Sequence, residues 1–154
     1  MPAPLSAAQA ELITPQMVDM VLPYLQGHSS YLIMDAGNHF TDPVMEILER
    51  SDVILLMLSP EIASVKSASD ALKIFDQLGY DPRKILIGIN NIFVNYWLPV
   101  KKILPALNNL PYFEIPFDSN GFVRALITGD PLVSVAPKSE AGLAIISLAY
   151  KLSF

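Results

Sequence analysis

Asp35 is the residue whose type and position first suggest chemistry. It follows the apolar run Tyr31-Leu32-Ile33-Met34 and precedes Ala36 and Gly37. Continuous apolar runs of this length are typical of strands in parallel sheets, and ligands bind at the carboxyl ends of such strands. The pattern therefore predicts a functional carboxylate at a strand end. A carboxylate in this place can also serve only to cap the following loop, and both interpretations stay open here.

Other reactive groups give weaker signals. Ser59 precedes a proline, and no histidine base follows at a plausible strand end, which favours a helix cap over a nucleophile. His28 and His39 have no second histidine or acidic cluster at ligand spacing, which argues against a metal site. Cysteine is absent, so neither a disulfide nor a thiolate metal site is expected, and the composition fits a reducing cytoplasm.

The composition is apolar for a chain without a membrane-spanning run. Hydrophobic residues make up 52% and charged residues 16%, against roughly 25% charged residues in an ordinary soluble domain. The excess indicates either a surface that docks onto another chain or a sheet covered on both faces. The net charge of −5, with scattered basic residues, argues against direct nucleic-acid binding.

Capping residues followed by proline mark the helix starts, as at Thr14-Pro15. We predict strands at 31–35, 53–58, 85–89 and 112–115, and helices at 15–25, 43–50, 61–78, 122–127 and 140–154. The last helix is apolar almost all round and is expected to be buried. Residues 92–110 are ambiguous and contain an aromatic cluster of Phe93, Tyr96 and Trp97.

Alternating strands and helices predict a three-layer α/β fold with a mainly parallel sheet of about four to five strands. We expect a single domain from residue 13 to residue 154. Residues 1–12 contain no complete element and are predicted to be a linker or a truncated upstream element. The abrupt start favours a fragment of a longer protein over a natural remnant.

An ordered set of strand ends and loops resembles a known family. The set comprises Asp35, Ser59-Pro60-Glu61, Asn90, Ile115-Pro116-Phe117-Asp118, Gly129-Asp130-Pro131-Leu132 and Ser139. It resembles the second half of the MinD/ParA ATPases of the SIMIBI class. Within that family it is most similar to the CpaE/TadZ branch, where a phrase like Ile13-Thr14-Pro15 precedes the strand that carries the Walker B aspartate.

The resemblance assigns the phosphate side of a nucleotide site to the first of these segments. It implies that Asp35 is the Walker B-type catalytic carboxylate near Mg²⁺, and that Ala36, Gly37 and Asn38 begin the switch region. Magnesium binds through one or two carboxylates together with substrate phosphates, so a single aspartate is chemically reasonable.

The resemblance assigns the base side to the ends of two later strands. It implies that Asn90 contacts the adenine edge and that Pro116 and Asp118 belong to the loop beside the base. The sequence departs from the family at Asn91, where arginine is usual. Apart from the resemblance, asparagines after a strand are common turn residues.

The family's phosphate-binding loop has no counterpart in this sequence. None of the seven glycines is followed by lysine, whereas a Gly-Lys-Thr/Ser loop at a helix start is needed to hold the phosphates. We therefore expect no ATP hydrolysis, and no tight binding of ATP or Mg²⁺, by this chain alone. In the family the missing strand lies between the strands at 31–35 and 53–58. Its absence predicts that these two strands pair directly or that a second copy fills the gap.

The expected function is that of the C-terminal part of an ATPase that positions pilus-assembly or cell-division (septum) machinery. The expected partners are a second copy or the upstream half of the same protein, together with proteins of that machinery. One alternative is a receiver-like signalling module with Asp35 as phospho-acceptor and Ser59 as switch hydroxyl. Against it, Asn90 stands where a lysine is needed, and no acidic pair precedes Asp35. Another alternative is an assembly module that binds no ligand.

Overall fold

The computed structural model describes residues 13–94 and 98–153. The predicted linker at 1–12, and Tyr96 and Trp97 of the aromatic cluster, lie outside the described residues. The chain divides into two compact units, of which the first ends at Asp52 and the second begins at Val53.

Among its described residues, 13–52, the first unit contains two helices that begin and end close to their predicted bounds. They are α1 (Pro15–Gln26) and α2 (Asp42–Arg50). Thr14 caps α1, because its Oγ1 accepts a hydrogen bond of 3.3 Å from the backbone N–H of Met17. An ion pair between Arg50 and Asp19 links the two helices.

The predicted strand at 31–35 is wrong. The sheet among the described residues has three strands, and none of them includes this segment. Its side chains nevertheless alternate as in a strand, since Ile33 is 92% exposed while Leu32 and Met34 are half-buried. A strand is completed only by hydrogen bonds to a neighbour, which an apolar run cannot supply by itself. The sheet shows no pairing of this segment with the strand at 53–58. The direct-pairing form of that prediction is therefore wrong, and its other form, a gap filled by a second copy, stays a prediction.

The second unit confirms the α/β fold class with a parallel sheet. Strands β1 (Ile54–Leu58), β2 (Ile85–Asn90) and β3 (Tyr112–Ile115) lie in the order β1-β2-β3. The count of three strands is lower than predicted because residues 31–35 are not part of the sheet. The helices are α3 (Ile62–Gln77), α4 (Val100–Ile103), α5 (Ser119–Thr128), α6 (Leu132–Val135) and α7 (Glu140–Leu152).

One face of the sheet forms the tightest part of the core. Ile87 and Ile89 of β2 point to this face and are fully buried. Phe75 of α3 is also fully buried, as are Ile103 and Leu107 from the connection between β2 and β3. This connection contains α4 and a 3₁₀ turn at Leu104–Leu107, where Pro105 interrupts the α-helical pattern.

The other face is covered at β3 and open at β1. Ile115 packs with Leu132 and Ala141, which α6 and α7 contribute. Leu55 and Met57 of β1 point to the same face but are 39% and 46% exposed. Part of the apolar excess in the sequence is therefore exposed on the surface of the described chain.

Gly88 lies on this face in the central strand, between the exposed residues of β1 and the covered residues of β3. It lies in register with Met57 of β1 and Phe113 of β3. A Cβ atom at this glycine would lie 2.2 Å from Met57 Sδ and 2.7 Å from Phe113 Cζ. The two side chains therefore close over the glycine, which has no side chain to separate them.

The expectation that the last helix is buried is wrong for most of α7. Its buried residues are Ala141 and Gly142, whereas Tyr150 is 77% exposed. An apolar helix is buried only where other elements cover it, and α7 packs on β3 and α6 along one side. No described helix has the length and apolarity required to cross a membrane.

Candidate functional site

Asp35 closes a short turn in the first unit. Its Oδ1 accepts a hydrogen bond of 3.2 Å from the backbone N–H of Gly37. Gly37 has a φ of +68°, a conformation that favours glycine. Asp35 and Asn38 are exposed. The carboxylate therefore caps its own loop and is also accessible to a ligand, which is compatible with both interpretations of the sequence.

Asn90 and Pro116 lie at the same edge of the sheet in the second unit. β2 and β3 are parallel, and Asn90, the last residue of β2, is in register with Ile115, the last residue of β3. We call residues 90–91 and 115–118 the rim. Because ligands of parallel sheets bind at the carboxyl ends of strands, the rim is where a base would be held.

Asn91 is the rim residue that sequence analysis underrated. It is 3% exposed, and both its backbone N–H and its Nδ2 donate to the carbonyl oxygen of Ile115, at 3.0 and 3.1 Å. Its Oδ1 is buried and has no hydrogen-bond partner among the described residues. The available signal was a neutral amide directly after a buried strand, in place of the family's arginine.

Asp118 is positioned by the helix that follows it. It caps α5, since its Oδ1 accepts a hydrogen bond of 2.8 Å from the backbone N–H of Gly121. A Cβ atom at Gly121 would lie 2.3 Å from Asp118 Oδ2, so glycine is the residue that fits. The pKa of Asp118 is lowered mainly by the hydrogen bond from the Gly121 N–H and, to a lesser extent, by a hydrogen bond with the side chain of Ser139. Ser139 itself caps α7 by accepting from the N–H of Gly142 at 3.1 Å.

Ser59 is not a helix cap, contrary to expectation. The residue at the cap position of α3 is Glu61, which makes no side-chain capping bond. The Ser59 hydroxyl donates to Glu61 Oε1 at 3.1 Å, and its backbone N–H donates to Ser64 Oγ. These bonds hold the turn between β1 and α3.

The structure thus places Asn90 and Pro116 at the neighbouring ends of β2 and β3, with Asp118 two residues further along the chain, whereas Asp35, Gly37 and Asn38 lie in the first unit. The amide of Asn90, which is half-buried, can both donate and accept a hydrogen bond, whereas Asp118 is bonded to Gly121 through Oδ1 and its Oδ2 is buried. Within residues 13–94 and 98–153 no cluster of three or more metal-ligating side chains occurs. Asp35 fits magnesium only as one carboxylate among phosphate ligands. The functional roles of all six residues stay predictions.

Comparisons with known proteins place the fold. No protein-family model matches the chain. An uncharacterized ATP-binding protein from Methanocaldococcus jannaschii is 24% identical over 153 residues, which are 98% of this chain and 56% of that protein. A ParA family ATPase from Chlorobium tepidum has a TM-score of 0.88 at 24% identity, covering 99% of this chain and 63% of that one.

Two MinD structures are also similar. The septum site-determining protein MinD from Pyrococcus horikoshii, complexed with Mg-ADP, gives a TM-score of 0.79 at 18% identity, over 99% of this chain and 62% of that one. A chain of the MinC:MinD cell division protein complex of Aquifex aeolicus gives a TM-score of 0.69 at 20% identity, over 90% of this chain and 57% of that one. The chain therefore has the fold of the ParA and MinD ATPases, and it spans about three-fifths of the length of these proteins.

Proposed function

We propose that the chain is the C-terminal part of a MinD/ParA-like ATPase and supplies the base-binding rim and the Walker B-type carboxylate of its nucleotide site. The observation that carries this proposal is the rim itself. Asn90 and Ile115 end two parallel strands in register, within a fold like that of a ParA family ATPase, and this supports a role for Asn90 and the following loop Pro116–Asp118 at the base.

Each predicted site residue has a distinct task in this proposal. Asn90 and the loop Pro116–Asp118 hold the base, and the carboxylate of Asp35 would be a ligand of magnesium. Gly37 and Asn38, in the turn after Asp35, respond to the terminal phosphate. Bound Mg-ATP would supply the phosphoanhydride bond whose hydrolysis resets the switch.

The phosphate-gripping half of the site comes from sequence outside this chain. No Gly-Lys pair occurs in the printed sequence, and the similar proteins are longer than this chain. Uncovered apolar side chains support this view in both units: Ile33 in the first, and Leu55 and Met57 of the edge strand β1 in the second. We therefore propose that the chain alone does not hydrolyse ATP.

Nucleotide titration tests the proposal. Mg-ADP is titrated into this chain and into a polypeptide that extends it upstream at its genomic locus. We expect tight binding only by the extended polypeptide, and weaker binding when Asn90 is changed to Leu. A Gln77→Leu variant is the control, because Gln77 is an exposed amide at the end of α3. An extended polypeptide that contains no phosphate-binding loop, or that binds no Mg-ADP, would overturn the proposal.

The cellular role is proposed at a finer level from the resemblance. We propose a cytoplasmic, nucleotide-dependent homodimer of the CpaE/TadZ type that positions pilus-assembly or division machinery. The MinC:MinD complex supports the idea of protein partners, because it is formed by a protein of the same fold. Light scattering of the extended polypeptide with Mg-ATP and with Mg-ADP tests it: we expect a dimer with ATP only.

The receiver-like alternative keeps one specific observation in its favour, the exposed carboxylate of Asp35. Incubation with acetyl phosphate, followed by intact-mass measurement, separates the two proposals. We expect no phosphorylation. A single phosphate that is lost in Asp35→Asn would favour the receiver.

A further inference from the structure

We propose that Asn91 is a positioning residue that clamps the ends of β2 and β3 together, so that the rim presents a fixed surface to the base. The inference rests on the proposed function for the rim's purpose, but the clamp itself is a property of this chain. Asn91 is not among the residues to which the family resemblance gives a role.

The clamp consists of two donors on one acceptor. The backbone N–H of Asn91 continues the hydrogen-bond ladder between β2 and β3 and donates to Ile115 O at 3.0 Å. The side-chain Nδ2 donates to the same oxygen at 3.1 Å. A carbonyl oxygen has two lone pairs and accepts both bonds. The side-chain bond adds a second link between strand ends that are 24 residues apart in the chain.

The orientation of the Asn91 amide is fixed by this acceptor. A carbonyl cannot donate, so Nδ2 must face Ile115 and Oδ1 must face away from it. In that position Oδ1 is buried and has no partner among the described residues. An unpaired buried acceptor destabilises the fold, and an apolar residue of similar size would avoid this cost. The asparagine is therefore better explained by its side-chain hydrogen bond to Ile115 O than by its effect on overall stability.

The rim needs such a link because the ladder ends here. The register of β2 and β3 ends at Asn90 and Ile115, and the bond from Asn91 N–H to Ile115 O is the last one between these strand ends among the described residues. Asn90 lies on one side of the two bonds to Ile115 O, and the Pro116–Asp118 loop lies on the other. Without the side-chain bond, only the backbone hydrogen bond from Asn91 to Ile115 O would hold Asn90 and this loop in position relative to each other.

Hydrogen exchange of Asn91→Leu in this chain tests the clamp directly. We expect the amide of residue 91, corrected for its intrinsic rate, to exchange about tenfold faster, because local opening of the strand ends becomes easier. The amide of Ile87 donates to Pro111 O at 2.9 Å at the other end of the same ladder and should not change. The melting temperature should be unchanged or higher, since the unpaired Oδ1 is removed. Gln77→Leu is the matched control, with no change expected at either amide.

Two outcomes would overturn the clamp: an unchanged exchange rate at residue 91, or a lowered melting temperature with faster exchange at both amides. The second outcome would indicate a merely structural role.

A binding measurement then tests the purpose of the clamp. In the extended polypeptide, Asn91→Leu should weaken binding of Mg-ADP severalfold while leaving binding of inorganic pyrophosphate unchanged, because pyrophosphate has no base. Equal weakening of both ligands would contradict a role at the base. If the wild-type polypeptide binds neither ligand, the proposed function fails, while the exchange experiment still decides whether the clamp exists.

Discussion

Two aspartates follow apolar segments in this chain, and the structure treats them differently. Asp35 accepts a hydrogen bond of 3.2 Å from Gly37, two residues away, in an exposed turn. Asp118 accepts one of 2.8 Å from Gly121 at the start of a ten-residue helix, beside the cap of a second helix. The comparison teaches that a carboxylate after a strand-like run is positioned by the element that follows it.

The glycine partners of the two aspartates should give the largest difference. Gly121→Ala places a Cβ atom 2.3 Å from Asp118 Oδ2 and 2.7 Å from Leu132 Cδ1, so we expect a loss of about 3 kcal/mol from overpacking and a disturbed cap. Gly37→Ala meets nothing within 4 Å and should cost about 1 kcal/mol, through its positive φ alone. Urea unfolding of both variants measures the difference. Equal losses would show that space at Gly121 is not limiting.

Removal of the carboxylates should give a smaller difference. Asp118→Ala deletes a helix cap, which should lower the melting temperature by roughly 2–4 °C. Asp35→Ala removes one bond within an exposed turn and should leave the melting temperature nearly unchanged. Thermal unfolding followed by circular dichroism measures both. A larger loss for Asp35→Ala would mean that its turn supports more of the fold than its single local bond indicates.

The pH dependence should give the smallest difference. The Gly121 N–H and Ser139 lower the pKa of Asp118 in the folded chain, so its contribution to stability is complete above the ordinary carboxyl pKa of about 3.9. That contribution is lost as the pH falls through the lowered, folded-state pKa. Stability measured from pH 6 downwards should therefore fall less steeply in Asp118→Asn than in the wild type. Identical acid slopes would indicate that the carboxylate form of Asp118 is not favoured by folding.

Local signals were predicted well from the sequence, and contacts between distant segments were not. Thr14 with Pro15 marked the start of α1 because a cap and its helix are adjacent in the chain. The strand at 31–35 failed because pairing depends on a neighbour that the apolar run does not specify. The burial of α7 was overestimated for a related reason, since the described residues leave the large side chain of Tyr150 77% exposed.

The candidate site divides along the same line. Asn90, Pro116 and Asp118 were predicted from the family resemblance, and their roles stay predictions. The importance of Asn91 was missed because its bond to Ile115 joins positions 24 residues apart. Only the register of β2 and β3 makes that bond visible.

The glycine at the centre of β2 has a mechanical consequence. Met57 and Phe113 belong to strands that are not adjacent, yet both reach the space above Gly88. A partner docked against Met57 would therefore lie close to Phe113, a residue of the strand on which α7 packs. We therefore expect that a partner bound at the exposed β1 side of the sheet would alter the packing of α7 on β3.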